Sequence, residues 1–216
     1  MADEDVIRYD GSTCEFSMAF DGTAAGLAAS ANIDALALKD GDIYFSLLAA
    51  GNVPGIAGKV DDSDVVKYSG SAFSLYFDGS AYGLTTNAED IDAIAFDQTG
   101  KLLVSTLGGY AVPGVPKGGD EDLLRFDAGA WELRFDGSHN AGLTAEDIVG
   151  ASVAANGDFY LSVLDAFNVG GISGNAADIF ICSPSSLGDH NTACTYSLFW
   201  DAASFGLPAI DAIDIQ

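Results

Sequence analysis

A motif of twelve or thirteen residues occurs four times along this chain. Each copy opens on an aromatic residue, reaches an aromatic–Asp step and closes on Gly-Leu. The copies are FSMAFDGTAAGL at 16–27, FSLYFDGSAYGL at 73–84, WELRFDGSHNAGL at 131–143 and YSLFWDAASFGL at 196–207. Because a chain that repeats itself is built from copies of one structural unit, this feature constrains the fold more than any other.

A second motif gives the length of the unit. DVIRY at 5–9 recurs as DVVKY at 64–68, as DLLRF at 122–126 and more loosely as DIFIC at 178–182, at offsets of 59, 58 and 56 residues. We therefore expect one domain over 1–216 that contains four repeats, at approximately 3–60, 61–118, 119–174 and 175–216.

Each complete period contains four apolar runs of strand length. One set begins with IDALAL at 33–38 and has equivalents at 91–96, 148–153 and 210–215, and another comprises 42–48, 101–107 and 158–164. The runs are rich in β-branched and aromatic residues and are separated by turn residues, which indicates a four-stranded antiparallel meander. A meander at this period is typical of a propeller blade, so the sequence predicts an all-β, four-bladed β-propeller.

The strand count is one short of four complete blades. The chain starts on the third and fourth strands of a blade, continues through three complete blades and ends on one inner strand at 210–215. We expect both termini to build the last blade, with its second strand missing. A neighbouring copy could donate that strand, the chain could be a fragment, or the ring could close within the chain, which is our working hypothesis.

The FDG step is interpreted as the end of a strand. In the third copy the apolar Trp131, Leu133 and Phe135 alternate with the charged Glu132 and Arg134, as in a half-buried strand. An Asp side chain can accept hydrogen bonds from the following turn, and Gly supplies a positive φ where one is needed. Every repeat shares the feature whereas a reaction needs one asymmetric site, so we predict a structural role.

The order of the runs resembles the blades of NHL-type propellers. IDAIAFDQTGKLLVST at 91–106 corresponds to the inner and second strands of such a blade, and DLLRFDAGAWELRF at 122–135 corresponds to the third and outer strands. The same order of sequence motifs is similar to a repeat of exported bacterial surface proteins of uncharacterised role. This resemblance covers nearly the whole chain and implies a propeller fold, but propellers carry many unrelated activities.

The net charge of the chain limits the classes of molecule that it can bind. Acidic residues outnumber basic ones by 32 to 8, for a formal net charge of -24. A surface of this sign repels nucleic-acid phosphates and anionic lipids and attracts hard cations. No stretch of uncharged apolar residues is long enough to cross a bilayer, so we predict neither nucleic-acid binding nor a membrane span.

Aspartates recur at the beginning of the predicted inner strands. Asp34, Asp92 and Asp211 share one aligned position, and Asp90 and Asp147 lie at the position two residues earlier. Inner strands line the channel of a propeller, so these carboxylates would converge and repel, and a hard cation would relieve the repulsion. We predict that they hold Ca²⁺ or Mg²⁺, with Ca²⁺ as the candidate cofactor. The alternative is that they cap loops by accepting backbone N–H bonds.

Two of the three cysteines flank a turn-rich insert. Cys182 and Cys194 are predicted to form a disulfide across a hairpin, which would leave Cys14 unpaired. The alternative is three buried thiols in a cytosolic protein. A disulfide implies an oxidising compartment, and the first four residues resemble no signal peptide. We therefore expect the mature form of an extracellular or cell-surface protein.

No catalytic motif stands out, so we predict a non-enzymatic binding or structural module. Its partner would be a protein or glycan at the cell surface, or copies of itself in a filament or oligomer built by strand complementation. A metal-dependent lactonase-like hydrolase is a further alternative. Gluconolactonase-like propellers use a Glu, Asn and Asp set, which Glu89, Asn32 and Asp92 match in residue type.

Two further groups of residues lie in or near predicted loops. Candidate residues for stacking on sugars are Tyr82, Tyr110, Phe167 and Phe205. The two histidines, His139 and His190, fall at different positions in different repeats and are interpreted as solvated loop residues.

Overall fold

β-strands dominate the computed structural model, which describes residues 2–202, 205–207 and 209–216. The chain begins with an antiparallel hairpin of β1 (Val6–Asp10) and β2 (Glu15–Phe20), followed by the one-turn helix α1 (Gly22–Ala25). A 3₁₀ turn at Ser80–Tyr82 occupies the place of α1 in the next repeat. None of the described helices has the length and apolar character that a membrane crossing requires.

Three antiparallel sheets of four strands follow the hairpin. The first contains β3 (Ile33–Lys39), β4 (Asp42–Leu47), β5 (Val65–Tyr68) and β6 (Phe73–Phe77). The second contains β7 (Ala93–Phe96), β8 (Leu102–Ser105), β9 (Leu123–Asp127) and β10 (Ala130–Phe135). The third contains β11 (Ile148–Val153), β12 (Phe159–Val163) and, after the small hairpin β13 (Phe167–Val169) and β14 (Ile172–Gly174), β15 (Ile179–Ser186) and β16 (Ala193–Trp200).

The three sheets are blades arranged around a common axis. Their first strands, β3, β7 and β11, contact one another, and each sheet then proceeds outward in chain order. The hairpin β1–β2 forms the outer part of a fourth blade. The chain is thus a four-bladed β-propeller, and the fold predicted from the repeats is confirmed.

One hydrogen bond joins each blade to the next at the start of the inner position. The backbone N–H of the first inner residue donates to a carbonyl oxygen just before the third strand of the preceding blade. The four pairs are Ile33 to Asp3 at 3.0 Å, Ile91 to Asp62 at 3.1 Å, Ile148 to Asp120 at 3.0 Å and Ile210 to Ala176 at 3.1 Å. Residues 210–215 therefore occupy the fourth inner position.

These C-terminal residues do not form the inner strand that we predicted. The described part of the segment is in no strand. It is fixed instead by two side-chain bonds, from the Leu38 N–H to Asp214 Oδ2 at 2.9 Å and from the Ile215 N–H to Ser152 Oγ at 3.1 Å. Among the described residues this blade has no second strand, so no neighbouring strand presents the backbone groups that a ladder requires.

Aromatic contacts close the ring within the chain. Between the first and second blades the set is Phe77, Tyr82, Phe126 and Trp131. The equivalent set between the third and fourth blades is Trp200, Phe205, Tyr9 and Phe16. The ring centroids of Tyr9 and Trp200 are 4.4 Å apart with the planes nearly perpendicular, a favourable aromatic geometry. The N-terminal hairpin thus packs on the third blade as complete blades pack on one another.

Replacement of Ile213 tests the closure. Its side chain is 5% exposed and lies against Gly150 of β11. We expect Ile213→Ala to lower the free energy of unfolding by about 2–4 kcal/mol, the usual cost of removing a buried aliphatic side chain. The exposed Gln216→Ala is the matched control and should change it by less than about 0.5 kcal/mol. If Ile213→Ala costs no more stability than Gln216→Ala in urea unfolding, residues 210–215 do not belong to the core.

A repeated carboxylate holds each turn that follows an outer strand. Asp64 accepts a hydrogen bond from the Gly79 N–H at 3.0 Å through Oδ1 and one from the Asp61 N–H at 2.9 Å through Oδ2. The same two kinds of bond are made by Asp5, Asp122 and Asp178. In the FDG step itself, the strand ends at the aromatic residue, and the Asp accepts a hydrogen bond from the backbone N–H three residues later, as predicted for a strand end. The Asp residues and distances are Asp21 at 2.8 Å, Asp78 at 3.0 Å and Asp136 at 2.9 Å.

The glycine of the FDG step is needed for space. At Gly79 the backbone has φ −63°, so the positive φ that we allowed for is not used. A Cβ there would lie 2.1 Å from the carbonyl oxygen of Ser63, and the Cβ positions of Gly22 and Gly137 meet a carbonyl oxygen equally closely. The fourth copy has Ala202 at this position, and its following residues 203 and 204 lie outside the described part.

Candidate functional site

The five predicted aspartates lie at one end of the central channel. Asp34 is the second residue of β3, Asp92 directly precedes β7 and Asp147 directly precedes β11. Asp90 comes two residues before Asp92, and Asp211 follows the inner residue Ile210. The inner segments start at equivalent positions around the ring, so we call this carboxylate group the channel mouth.

The carboxylates of the channel mouth repel one another. Burial and the charge of Asp211 raise the pKa of Asp34 to about 6. Burial and the neighbouring Asp62 raise the pKa of Asp90 to about 7, and burial with nearby carboxylates raises the pKa of Asp147 to about 7. At neutral pH the channel mouth therefore either keeps protons or carries closely spaced negative charge.

Asp92 is the least satisfied of these groups. It is 3% exposed, and neither of its carboxylate oxygens accepts a bond from an N–H or hydroxyl group of the described residues. The polar side chain it does meet is another carboxyl group, that of Asp147. Burial, followed by the charges of Asp147 and Asp34, raises its pKa well above the usual range. Within the described part of the chain, one oxygen of Asp147 is also buried without a hydrogen-bond partner. A buried carboxylate in this state is costly unless a proton or a cation compensates it.

Glu89 has the opposite environment. Its Oε2 accepts bonds from the N–H groups of Thr85 at 2.8 Å and Thr86 at 3.0 Å, and its Oε1 accepts one from the Ala111 N–H at 2.9 Å. Burial alone would raise the pKa of Glu89, but these backbone bonds outweigh it and the pKa is lowered. Glu89 thus fixes two loops, the capping role that we had considered for the aspartates.

Two of the four aromatic residues considered for sugar stacking are inaccessible. Tyr110 is 2% exposed and donates its hydroxyl to Asp122 Oδ2 at 2.8 Å, and Phe167 is 3% exposed. These two assignments are wrong, because both side chains fill the core beneath loops. Tyr82 and Phe205 are partly exposed but belong to the aromatic sets between blades.

A second group of potential metal ligands was not predicted from the sequence. Among the described residues, one group of three His, Cys, Asp or Glu side chains brings a ligand atom from each within 4.8 Å of the others: Asp136, His139 and His190. His139 follows β10, and His190 lies in the loop between β15 and β16. The signal available in the sequence was that both histidines of the chain follow an aspartate within three residues.

The predicted disulfide is confirmed. Cys182 on β15 and Cys194 on β16 are joined, with their Cα atoms 5.2 Å apart. Cys14 is free and exposed, as expected. The bond closes the hairpin whose loop carries His190.

Comparison with known proteins adds little support to the assignment of the fold. No protein-family model and no curated protein sequence matches this chain. Among solved structures, YCF48 bound to D1 peptide aligns at a TM-score of 0.34 and 7% identity, over 91% of this chain and 76% of that one. The extracellular domain of a hybrid two-component system of B. thetaiotaomicron aligns at a TM-score of 0.29 and 14% identity, over 92% of this chain and 20% of that one. At these TM-scores the propeller assignment depends on the repeated sheets described above.

Proposed function

We propose that this protein is a non-enzymatic binding module of the cell surface or extracellular space, and that its channel mouth binds Ca²⁺. The observation that carries the proposal is the buried Asp92 carboxylate, which no N–H or hydroxyl group of the described residues satisfies and which faces the carboxylates of Asp147 and Asp34. Ca²⁺ accepts six to eight oxygen ligands, including carboxylates and water. The five aspartates form no compact three-ligand group, so water or backbone oxygens would complete the shell.

Two further features support this proposal. The net charge of -24 raises the local concentration of cations around the chain. The Cys182–Cys194 disulfide suits an oxidising compartment, where free calcium is also abundant enough for weak sites. A protein or glycan partner would then bind the calcium-loaded module.

Calorimetric titration of the metal-free protein with Ca²⁺ at about pH 8 tests the site. We expect one ion per chain with Kd on the order of 0.1–1 mM, as in other extracellular calcium modules. Asp92→Asn should weaken binding by at least about 10-fold, because it removes a buried ligand charge. Asp40→Asn, at the exposed turn between β3 and β4, is the matched control and should leave Kd unchanged. Absence of binding, or equal Kd values in both variants, would contradict the calcium site.

Self-assembly by strand addition is a second candidate function. The third strands β5, β9 and β15 of the complete blades pair on both sides, whereas among the described strands β1 pairs with β2 alone. An edge strand with free backbone groups is a template for another chain. If the free edge of β1 pairs with another copy, the average molar mass measured by light scattering should rise beyond that of a dimer as the protein concentration increases. A monomer at every concentration would argue against it.

The lactonase-like alternative can be tested with the same variant. The wild-type protein and Asp92→Asn would be assayed on a panel of small esters. Turnover by the wild type that is lost in Asp92→Asn would favour a hydrolase over a binding module.

A further inference from the structure

Two turns from neighbouring blades meet on the surface of the ring. The first follows β10 and carries Asp136 and His139, and the second is the loop between β15 and β16 that carries His190. Thr192 of the second turn accepts a hydrogen bond from the Asp136 N–H at 2.8 Å and is itself fully buried. The two turns are therefore docked against each other whether or not a ligand is present.

The three side chains are already arranged around a common point. Asp136 Oδ2 lies 3.0 Å from His139 Nδ1 and accepts a bond from the His190 N–H at 2.7 Å. The imidazole centroids of His139 and His190 are 3.8 Å apart. One ligand atom from each of the three residues lies within 4.8 Å of the others. Ligands bound to one Zn²⁺ at about 2.0–2.2 Å are separated by distances of this order.

The chemistry of the set is that of a transition-metal site. The chain has two histidines, and both are here, although 50 residues separate them and different blades supply them. Burial would raise the pKa of Asp136, but the backbone N–H bonds from His139 and His190 outweigh it, so the pKa is lowered and the carboxylate is charged. Imidazole nitrogens favour zinc-type ions over Ca²⁺ and Mg²⁺, which prefer oxygen ligands.

Exposure of the site leaves room for a further ligand. The side chains of His139 and His190 are 50% and 66% exposed, while that of Asp136 is 2% exposed. An ion held by three protein ligands at the surface keeps an open coordination position for water or for a group of a partner.

We propose that Asp136, His139 and His190 bind a divalent transition-metal ion of the Zn²⁺ class and that this ion joins the second and third blades. This proposal is independent of the calcium site, since the two sites share no residue and use different ligand chemistry. An ion bound to the native chain and not to the unfolded one should raise Tm, by about 5–10 °C at a concentration near 100 times Kd.

Titration of the metal-free protein with Co²⁺ tests the site, because Co²⁺ replaces Zn²⁺ and reports its ligands by visible absorption. We expect one ion per chain, displaced by Zn²⁺ and not by excess Ca²⁺. In NMR spectra of the wild-type protein both imidazole spin systems should broaden together as Co²⁺ is added. His139→Gln and His190→Gln should each weaken Co²⁺ binding by at least about 10-fold.

The matched control is Asp78→Asn. Asp78 occupies the equivalent turn after β6, where it accepts bonds from Ser80 and Ala81 with no histidine nearby. Its variant should bind Co²⁺ as the wild type does. Co²⁺ binding that neither histidine variant weakens, competition by Ca²⁺, or unperturbed imidazole signals would each overturn the proposal. The NMR measurement uses the wild-type chain, so it decides the matter even if a variant fails to fold.

Discussion

Gly79→Ala should lower the free energy of unfolding by about 3–4 kcal/mol, a large effect for one added methyl group. At φ −63° and ψ −37° the backbone of Gly79 suits any residue, so conformational strain is not the reason. The reason is contact, because the new Cβ would lie 2.1 Å from the carbonyl oxygen of Ser63 and 2.9 Å from its Cβ. Relief would require the turn to move away from Asp64, which holds its N–H.

Gly11→Ala provides the matched control for this substitution. Gly11 lies in the turn between β1 and β2, and a Cβ there meets no atom within 4 Å. The same chemical change should alter stability by less than about 0.5 kcal/mol, measured by urea unfolding. If both variants lose stability equally, the close approach of backbone to backbone at Gly79 does not explain the glycine.

In the absence of divalent cations we expect Tm to fall by about 5–10 °C between about pH 5 and about pH 8. The pKa values of Asp34, Asp90 and Asp147 are raised in the folded state, to about 6, about 7 and about 7, above the ordinary value of 3.8. The pKa of Asp92 is raised as well, and burial raises the pKa of Glu121, which lies outside the channel mouth, to about 7, so Glu121 adds to the same slope. The folded chain therefore holds protons that the unfolded chain has released. This stabilisation is complete below the unfolded pKa and is lost as the pH rises through 6 to 7.

Scanning calorimetry in the presence of a chelator measures Tm as a function of pH. Carboxylates whose pKa is lowered, such as Glu89 and Asp136, are ionised in both states across this window and do not alter its slope. Asp147→Asn should flatten the dependence, whereas the exposed Asp40→Asn should preserve it. A Tm that is constant or rises over this range in the wild type would show that the channel mouth does not hold these protons.

The repeat predicted the blades because each copy carries the same burial pattern. The aligned residues Ile33, Ile91, Ile148 and Ile210 all make the same bond between blades. The apolar pattern at 210–215 predicted a strand, but the described residues provide no partner strand there, although Ile213 is buried. Hydrophobic pattern records what a residue packs against, whereas a strand also requires backbone groups from a neighbour.

The candidate sites were also predicted in part from the sequence. Register alone placed Asp34, Asp92 and Asp147 at one end of the channel. It could not distinguish the unsatisfied Asp92 from the well-bonded Glu89, since that depends on which loop N–H groups approach each carboxylate. His139 and His190 were missed because the loop between β15 and β16 belongs to one repeat only, and a repeat alignment does not record how far such a loop reaches.

The disulfide gives the loop between β15 and β16 a particular tolerance to proteolysis. Asp189, His190 and Asn191 are exposed, and exposed loop tips are where proteases cut most readily. Cys182 and Cys194 lie on either side of this tip, so a single cut there would leave the two fragments covalently joined. The outer strand would stay on its blade, and a nicked molecule would keep its ring closed.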